Sequence, residues 1–307
     1  MLRWFYFLIR RQRSTFQPVV LVTGCSSGIG LALSRLLVTR TRYRVVLTAR
    51  LASLPKLFAE FEESERVMIR PLDVSNEKER KALIQEVENK WHGVNVLINN
   101  AGISFRSVVE HMNEQDEQLQ MAANYFGPMG MIREVLPHMR MLGRGKIICI
   151  SSVSGMLAMP TMASYSASKH ALEGACEALW YEGKPLGIDV CLVQPGFINS
   201  NSFKNVYVSQ RAKEALSKND AYSDYYRHMS PFIEKMMTRS RATPGRVARL
   251  ILDVIKTENP PLWIPATLDA TIFYFIRRLL PRRLLLPVLF MCLPNTKKWA
   301  NEYTHKR

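Results

Sequence analysis

Val19-Val20-Leu21-Val22-Thr23-Gly24-Cys25-Ser26-Ser27-Gly28-Ile29-Gly30 is the stretch that decides the fold. Four aliphatic residues suited to a buried strand end in a glycine-rich turn. The turn opens directly into Leu31 to Leu37, an apolar-periodic stretch that predicts a helix. Glycines in such a turn let the backbone approach a pyrophosphate, whose charge is favoured by the free N–H groups and dipole of the helix start. Gly24, Ser26, Ser27, Gly28, Ile29 and Gly30 are therefore candidate cofactor contacts.

The same residues fit two other readings. A tight turn with no ligand uses glycines in the same way, and Gly24-Cys25-Ser26-Ser27-Gly28 also matches G-x-S-x-G, the turn that presents a nucleophilic serine in hydrolases. The hydrolase reading, with Ser26 as nucleophile, needs strands upstream, and only residues 1 to 18 precede this one.

Outward from the turn, short β-branched runs alternate with helical periodicity from Pro18 to about Pro195, the pattern of a parallel sheet covered on both faces. The predicted strands are Val19 to Thr23, Arg44 to Ala49, Val67 to Leu72, Val94 to Ile98, Lys146 to Ile150 and Asp189 to Val193, with Trp263-Ile264-Pro265 as a closing edge. About seven strands with crossovers imply an α/β, Rossmann-like, doubly wound sheet with helices on both faces, in a single domain over 18–267. Within it, the polar stretch 197–241 lies where a substrate lid would, and Gly245 to Lys256 predicts a helix. No repeat or low-complexity linker interrupts the chain.

Of 307 residues, 47% are hydrophobic and 22% charged, a globular composition. The five cysteines are odd in number and widely spaced, with no metal-ligand pattern, which fits a reduced, cytoplasmic compartment and predicts no metal site. Net charge is +16, and +11 of it sits in residues 1–15 and 270–307. There the arginines flank apolar runs such as Trp4-Phe5-Tyr6-Phe7 and Leu284-Leu285-Leu286, an arrangement suited to lipid and not to a nucleic acid. Neither run reaches the roughly 20 apolar residues of a membrane span. The segments 1–17 and 268–307 are therefore expected to make peripheral membrane contacts, or else to pack on the protein itself or a second subunit.

Several strand ends carry further candidate cofactor contacts. Arg50, just past the second strand, is suited to a ribose 2′-phosphate and so points to NADP(H), with NAD(H) the alternative if it is an ordinary surface arginine. Asp73, Asn100, Ala101 and Gly102 close the third and fourth strands, where an acid or amide suits an adenine edge and a small residue admits the cofactor; turn chemistry would use the same types.

Tyr165-Ser166-Ala167-Ser168-Lys169 places a phenol and an ammonium on one helix face. A free phenol titrates near pH 10, and a fixed cation beside it stabilises the phenolate, so Tyr165 can serve as a general acid/base. Ser152, just past the fifth strand, can hydrogen-bond a substrate oxygen, and Asn124 lies further upstream.

The glycine turn, Asn99-Asn100-Ala101-Gly102, Asn124, Ser152, Tyr165 with Lys169, and Gln194-Pro195-Gly196 together resemble the ordered motifs of the short-chain dehydrogenases/reductases, over about residues 18 to 200. The resemblance implies that Tyr165 exchanges the proton with the substrate oxygen. It gives Lys169 the nicotinamide ribose, Ser152 the carbonyl, and Asn124 a water-linked proton relay. Pro195, Gly196 and Ile198 would flank the nicotinamide, and a homodimer would form through the helices bearing Asn124 and Tyr165. Thr23 to Leu31, Tyr43 to Val46 before Arg50, and Leu268-Asp269-Ala270 leading to Arg277-Arg278-Leu279-Leu280-Pro281 resemble the hydroxysteroid and retinol dehydrogenase branch, which implies a small lipophilic alcohol, ketone or aldehyde as substrate. Asn199-Ser200-Asn201-Ser202 departs from the pattern, where a threonine commonly follows the Pro-Gly turn. The rival from outside enzymology is a catalytically idle protein that keeps the fold and binds the dinucleotide.

Overall fold

The computed structural model describes residues 18–200, 206–217 and 220–299. β1 (Val19–Val22), buried along its whole length, leads through the glycine turn into α1 (Gly28–Arg40). β2 (Arg44–Ala49), α2 (Leu54–Phe58) and β3 (Val67–Pro71) follow. α3 (Glu77–Trp91) starts at Asn76, whose side chain accepts from the Lys78 and Glu79 amides, and leads to β4 (Val96–Asn99). A short β5 (Phe105–Arg106) precedes α4 (Glu114–Met121), which joins α5 (Gly127–Leu142) through a single π turn, Ala122–Phe126. β6 (Gly145–Ile150), α6 (Ala163–Gly183) and β7 (Ile188–Gln194) complete the predicted alternation.

After β7 come β8 (Tyr207–Val208), α7 (Gln210–Ser217), α8 (Ser223–Arg239), α9 (Pro244–Lys256) and β9 (Trp263–Pro265). The tail forms α10 (Leu268–Leu279) and α11 (Arg282–Cys292).

The main sheet is parallel throughout, in the order β3-β2-β1-β4-β6-β7-β9. The winding direction reverses between β1 and β4, and ligands of doubly wound sheets sit at the carboxyl ends of strands at such a switch. The glycine turn and the Asn99-Asn100-Ala101-Gly102 loop both lie there. Alternate residues of β1 feed the two core layers: Val20 and Val22 pack with Leu33, Leu37, Val247 and Ile251 on the α1/α9 side. Val19 and Leu21 pack with Met131, Val135, Leu172 and Cys176 on the α5/α6 side.

The seven-stranded doubly wound sheet and single Rossmann-like domain stand as read from sequence, and Arg44–Ala49 and Trp263–Pro265 match at both ends. The 197–241 stretch is more ordered than its polar sequence suggested, because α8 buries Tyr226, Met229 and Ile233 at helical spacing and keeps Pro231 in its interior. The Tyr226 hydroxyl accepts from the Val108 amide (3.0 Å), and β8 pairs with β5, so the segment is tied across the strand ends. Residues 201–205 and 218–219 of that stretch, the 1–17 segment and the last residues of the tail lie outside the described residues.

Candidate active site

Gly24 and Gly28 have positive φ (73° and 58°), which only glycine adopts readily, and a Cβ on Gly30 would lie 2.2 Å from the Gly24 carbonyl oxygen. Ser27 caps α1 without a side-chain hydrogen bond, and no acid stands in the first turn. The first-turn amides therefore keep their donors for an external anion, the setting a pyrophosphate needs. A cleft opens beside this turn and runs between α1 and α9, lined by Ser26, Ser27, Gly28, Arg35, Pro244 and Arg249; Ser152, Tyr165 and Lys169 lie outside it. The turn itself, with its glycines and free amides, fits the pyrophosphate of a dinucleotide.

Asn100 holds the turn in place, donating from Nδ2 to the Thr23 and Gly24 carbonyls (2.9 Å each). The Thr23 hydroxyl accepts from the Asn100 and Ala101 amides (3.0 Å each). Asp73 accepts from the amide and hydroxyl of Ser75 (2.9 and 2.6 Å), so part of its capacity goes to its own turn. Arg50 is exposed immediately beyond β2.

α6 carries Tyr165 and Lys169 one turn apart. Lys169 Nζ donates to the Ile150 carbonyl at the end of β6 (2.9 Å) and stands 5.9 Å from the centre of the Tyr165 ring. Ser152 follows β6 beside the Tyr165 phenol, and its hydroxyl accepts from the Ser154 amide (3.1 Å). Asn124 occupies the π turn and is fully buried. Its Oδ1 accepts from the Ile103 amide (2.9 Å), while Nδ2 donates to the Ile103 carbonyl (2.9 Å) and to Ser168 Oγ (3.0 Å). Ser168 in turn donates to the Tyr165 carbonyl (2.7 Å). A Cβ on Gly102 would meet Asn124 Oδ1 at 3.0 Å and Lys169 Nζ at 3.8 Å, so the β4 loop needs glycine beside the ammonium.

Burial pushes the Tyr165 phenol up; the hydrogen bond from Ser152 and the charge of Arg106 pull it back down. The charge of Arg106 thus reaches the phenol that the sequence pairs with Lys169, a residue whose Nζ stands beside the same ring. Burial brings the Lys169 ammonium down to about 8, against the opposing pull of Cys149, Glu173 and Cys176.

Four contributors went unread in the sequence. Glu173, one turn beyond Lys169, accepts from Ser151 Oγ (2.5 Å) and Gln194 Nε2 (2.9 Å), and its four-residue spacing from Lys169 was a usable signal. Arg106 follows no spacing rule. Thr267 and Asp269 were also missed: Thr267 Oγ1 accepts from the Gly196 amide (2.9 Å) and Asp269 Oδ2 from the Phe197 amide (2.7 Å). The Pro195 carbonyl accepts from the Val153 amide (2.8 Å), joining this loop to the one after Ser152. Ile198 is buried in the α1/α9 layer.

Residues 18–211 match the family described as short chain dehydrogenase. The chain belongs to that family of oxidoreductases. This short chain dehydrogenase is 35% identical over 246 residues to a 3-ketodihydrosphingosine reductase of Bacteroides thetaiotaomicron, covering 80% of this chain and 86% of the relative. To dehydrogenase/reductase SDR family member 7B of Xenopus tropicalis it is 29% identical over 287 residues, 90% and 87% of the two chains. Among solved structures, a short-chain dehydrogenase from Streptomyces avermitilis superposes with a TM-score of 0.73 at 31% identity, covering 85% of this chain and 92% of the other. A Burkholderia phymatum member solved with NAD shares the fold at a TM-score of 0.71 and 21% identity, with 91% and 97% covered. Membership in a family of oxidoreductases removes the support for Ser26 as a hydrolytic nucleophile. Among the described residues no helix is long and apolar enough to cross a membrane, and no His/Cys/Asp/Glu group could hold a metal.

Proposed function

We propose that this chain is an NADP(H)-dependent oxidoreductase that interconverts a carbonyl and an alcohol on a lipophilic substrate, with Tyr165 as the general acid/base. The observation that carries the reading is the convergence of Ser152, Tyr165, Lys169 and Asn124 beside an uncapped glycine turn at the switch point of the sheet. A bound nicotinamide dinucleotide supplies or accepts the hydride. Ser152 holds and polarises the carbonyl oxygen, and Tyr165 passes its phenolic proton to that oxygen in reduction or takes it back in oxidation. Lys169 binds the nicotinamide ribose and, with Asn124, returns a proton to Tyr165 by way of water. Pro195, Gly196 and Ile198 line the nicotinamide side.

Arg50 favours the 2′-phosphate of NADP(H) over NAD(H), and because cellular NADP is held largely reduced, reduction is the working direction. A lipophilic ketone is supported by the 35% identity to a 3-ketodihydrosphingosine reductase and by the apolar, basic ends, which would bring the protein to a membrane surface. The 197–241 lid sets substrate choice, and a homodimer would form through α5 and α6.

The test is NADPH consumption by the full chain across steroid, retinoid, long-chain keto and aldehyde substrates. Tyr165→Phe should lower turnover about a thousandfold while NADPH affinity stays within about threefold. Turnover retained in that variant overturns the mechanism; binding without consumption across the whole panel leaves the idle dinucleotide-binding reading.

A further inference from the structure

We infer that α10 and α11 form a docking face for an anionic bilayer surface, and that docking acts on the proposed nicotinamide loop through Thr267 and Asp269. The inference rests on the function proposed above for what that loop does, and on geometry alone for the face and its connection.

The exposed large apolar residues of α10 are Leu268, Ile272, Phe275 and Leu279, spaced by four, three and four. That spacing lays them in one stripe along the helix. The opposite side is the covered one: Ala270, Phe273, Tyr274 and Ile276 pack on Val153, Met156 and Leu157. α11 goes further, with Leu284, Leu286, Val288, Phe290 and Met291 all exposed and only Leu285 and Leu289 packed inward. Apolar helix surface on this scale marks an interaction site.

Charge selects the occupant. Arg277, Arg278, Arg282 and Arg283 sit at the junction of the two helices; Arg277 donates to the Met156 carbonyl and Arg278 stacks on the Tyr274 ring (3.5 Å), while Arg282 and Arg283 are exposed at the start of α11. Such a cluster favours an external anion. A second copy of this chain, docked through the same face about a two-fold axis, would set these arginines against their own counterparts. A bilayer carrying anionic headgroups accepts the arginines and the apolar stripe together. At about 1.5 Å per residue each helix is roughly 17 Å long, short of the ~30 Å hydrocarbon core, so the pair lies along the surface.

The same helix reaches the site from both sides. Its N-cap, Thr267, accepts from the Gly196 and Ala270 amides, and Asp269 accepts from the Phe197 amide. A Cβ on Gly196 would overlap the Asp269 carboxylate, so loop and helix start are in close contact. Near its other end Arg277 Nε donates to the Met156 carbonyl (3.1 Å), in the segment that begins with Ser152. A helix moves as a rod, so seating the stripe in lipid also sets the position of Thr267 and Asp269. Asp269 is thus a positioning residue for the loop.

The experiment uses the full chain, with vesicles of phosphatidylcholine alone or with about 30% phosphatidylserine, read by flotation and by amide exchange at Gly196 and Phe197. Anionic vesicles should be bound at least about tenfold more tightly than neutral ones, and the Phe275→Glu/Leu279→Glu/Leu286→Glu variant should lose that binding. Arg282→Glu/Arg283→Glu, at exposed positions, should show the same loss without touching the packed side. Exchange at both amides should slow by about threefold or more on docking, and Asp269→Ala should remove the effect at Phe197 while Asp269→Asn restores it. Equal binding to both vesicles, undiminished binding by the glutamate variants, or self-association through this face without vesicle binding overturns the docking face. Exchange unchanged by bound vesicles overturns the coupling. Neither readout needs turnover, so a failure of the proposed reaction shows separately, as no NADPH consumption in vesicle-free buffer.

Discussion

The guanidinium of Arg106 and the phenol of Tyr165 act on each other: the charge of Arg106 pulls the phenol down, and the phenol holds the half-buried guanidinium up against its own desolvation. Arg106 reaches this position because β5 runs beside the start of α6, where the Ser107 amide donates to the Thr161 carbonyl (2.8 Å). The phenol is therefore tuned from the strand opposite its helix.

Removing that charge leaves the phenol to burial and Ser152 alone. In Arg106→Met the pH at which alcohol oxidation reaches half its maximal rate should move up, with a loss of rate at neutral pH. Arg106→Lys should restore most of it. A pH–rate profile of the three proteins decides; identical profiles would detach Arg106 from the chemistry.

Lys169 gives an alkaline limit. With its ammonium brought down to about 8, it is charged below that pH and loses its proton as pH rises through it, taking with it the charge proposed to hold the ribose. Turnover in the reductive direction should fall above about pH 8. Lys169→Arg stays protonated across the accessible range, so the limb should disappear from whatever activity that variant keeps.

Arg50 is expected to supply one charge-assisted contact to a 2′-phosphate, worth about 1.5–3 kcal/mol. Arg50→Asp should cut the preference for NADPH over NADH by at least about tenfold, measured as a ratio of kcat/KM values. An unchanged ratio would remove the cofactor assignment.

Asn124→Ala takes three hydrogen bonds from a fully buried place and leaves the Ile103 amide and carbonyl without those partners. Destabilisation of about 2 kcal/mol or more is expected, checked by urea unfolding.

What the sequence disclosed follows the range of the forces involved. β1, its turn and α1 were legible because strand, glycines and helix are contiguous, and the sheet because strands buried on both faces read as unbroken aliphatic runs such as Ile147-Ile148-Cys149-Ile150. Tyr165 and Lys169 were legible through their spacing on one helix. α8 was not, because Tyr226, Met229 and Ile233 stand among charges and a proline that blur the period. Arg106 beside Tyr165, and Asp269 beneath Phe197 across 72 residues, are products of chain crossing that no local pattern records. The stripe on α10 shows a different limit: periodicity tells which residues share a face, and tertiary packing alone decides whether that face is covered.

The π turn at Ala122–Phe126 makes chain length itself part of the site. A π turn holds one residue more than the regular helix would, and deleting a single residue there would let α4 and α5 run on as one uninterrupted α-helix. The wide turn absorbs the extra residue, so the flanking helices would keep their faces while the turn itself was rebuilt around Asn124, carrying its amide away from Ile103 and Ser168. The shorter chain would have the more regular local backbone and the poorer active site. Substitution scanning cannot detect this dependence, because no side chain is responsible for it; a one-residue deletion series through 121–127 would.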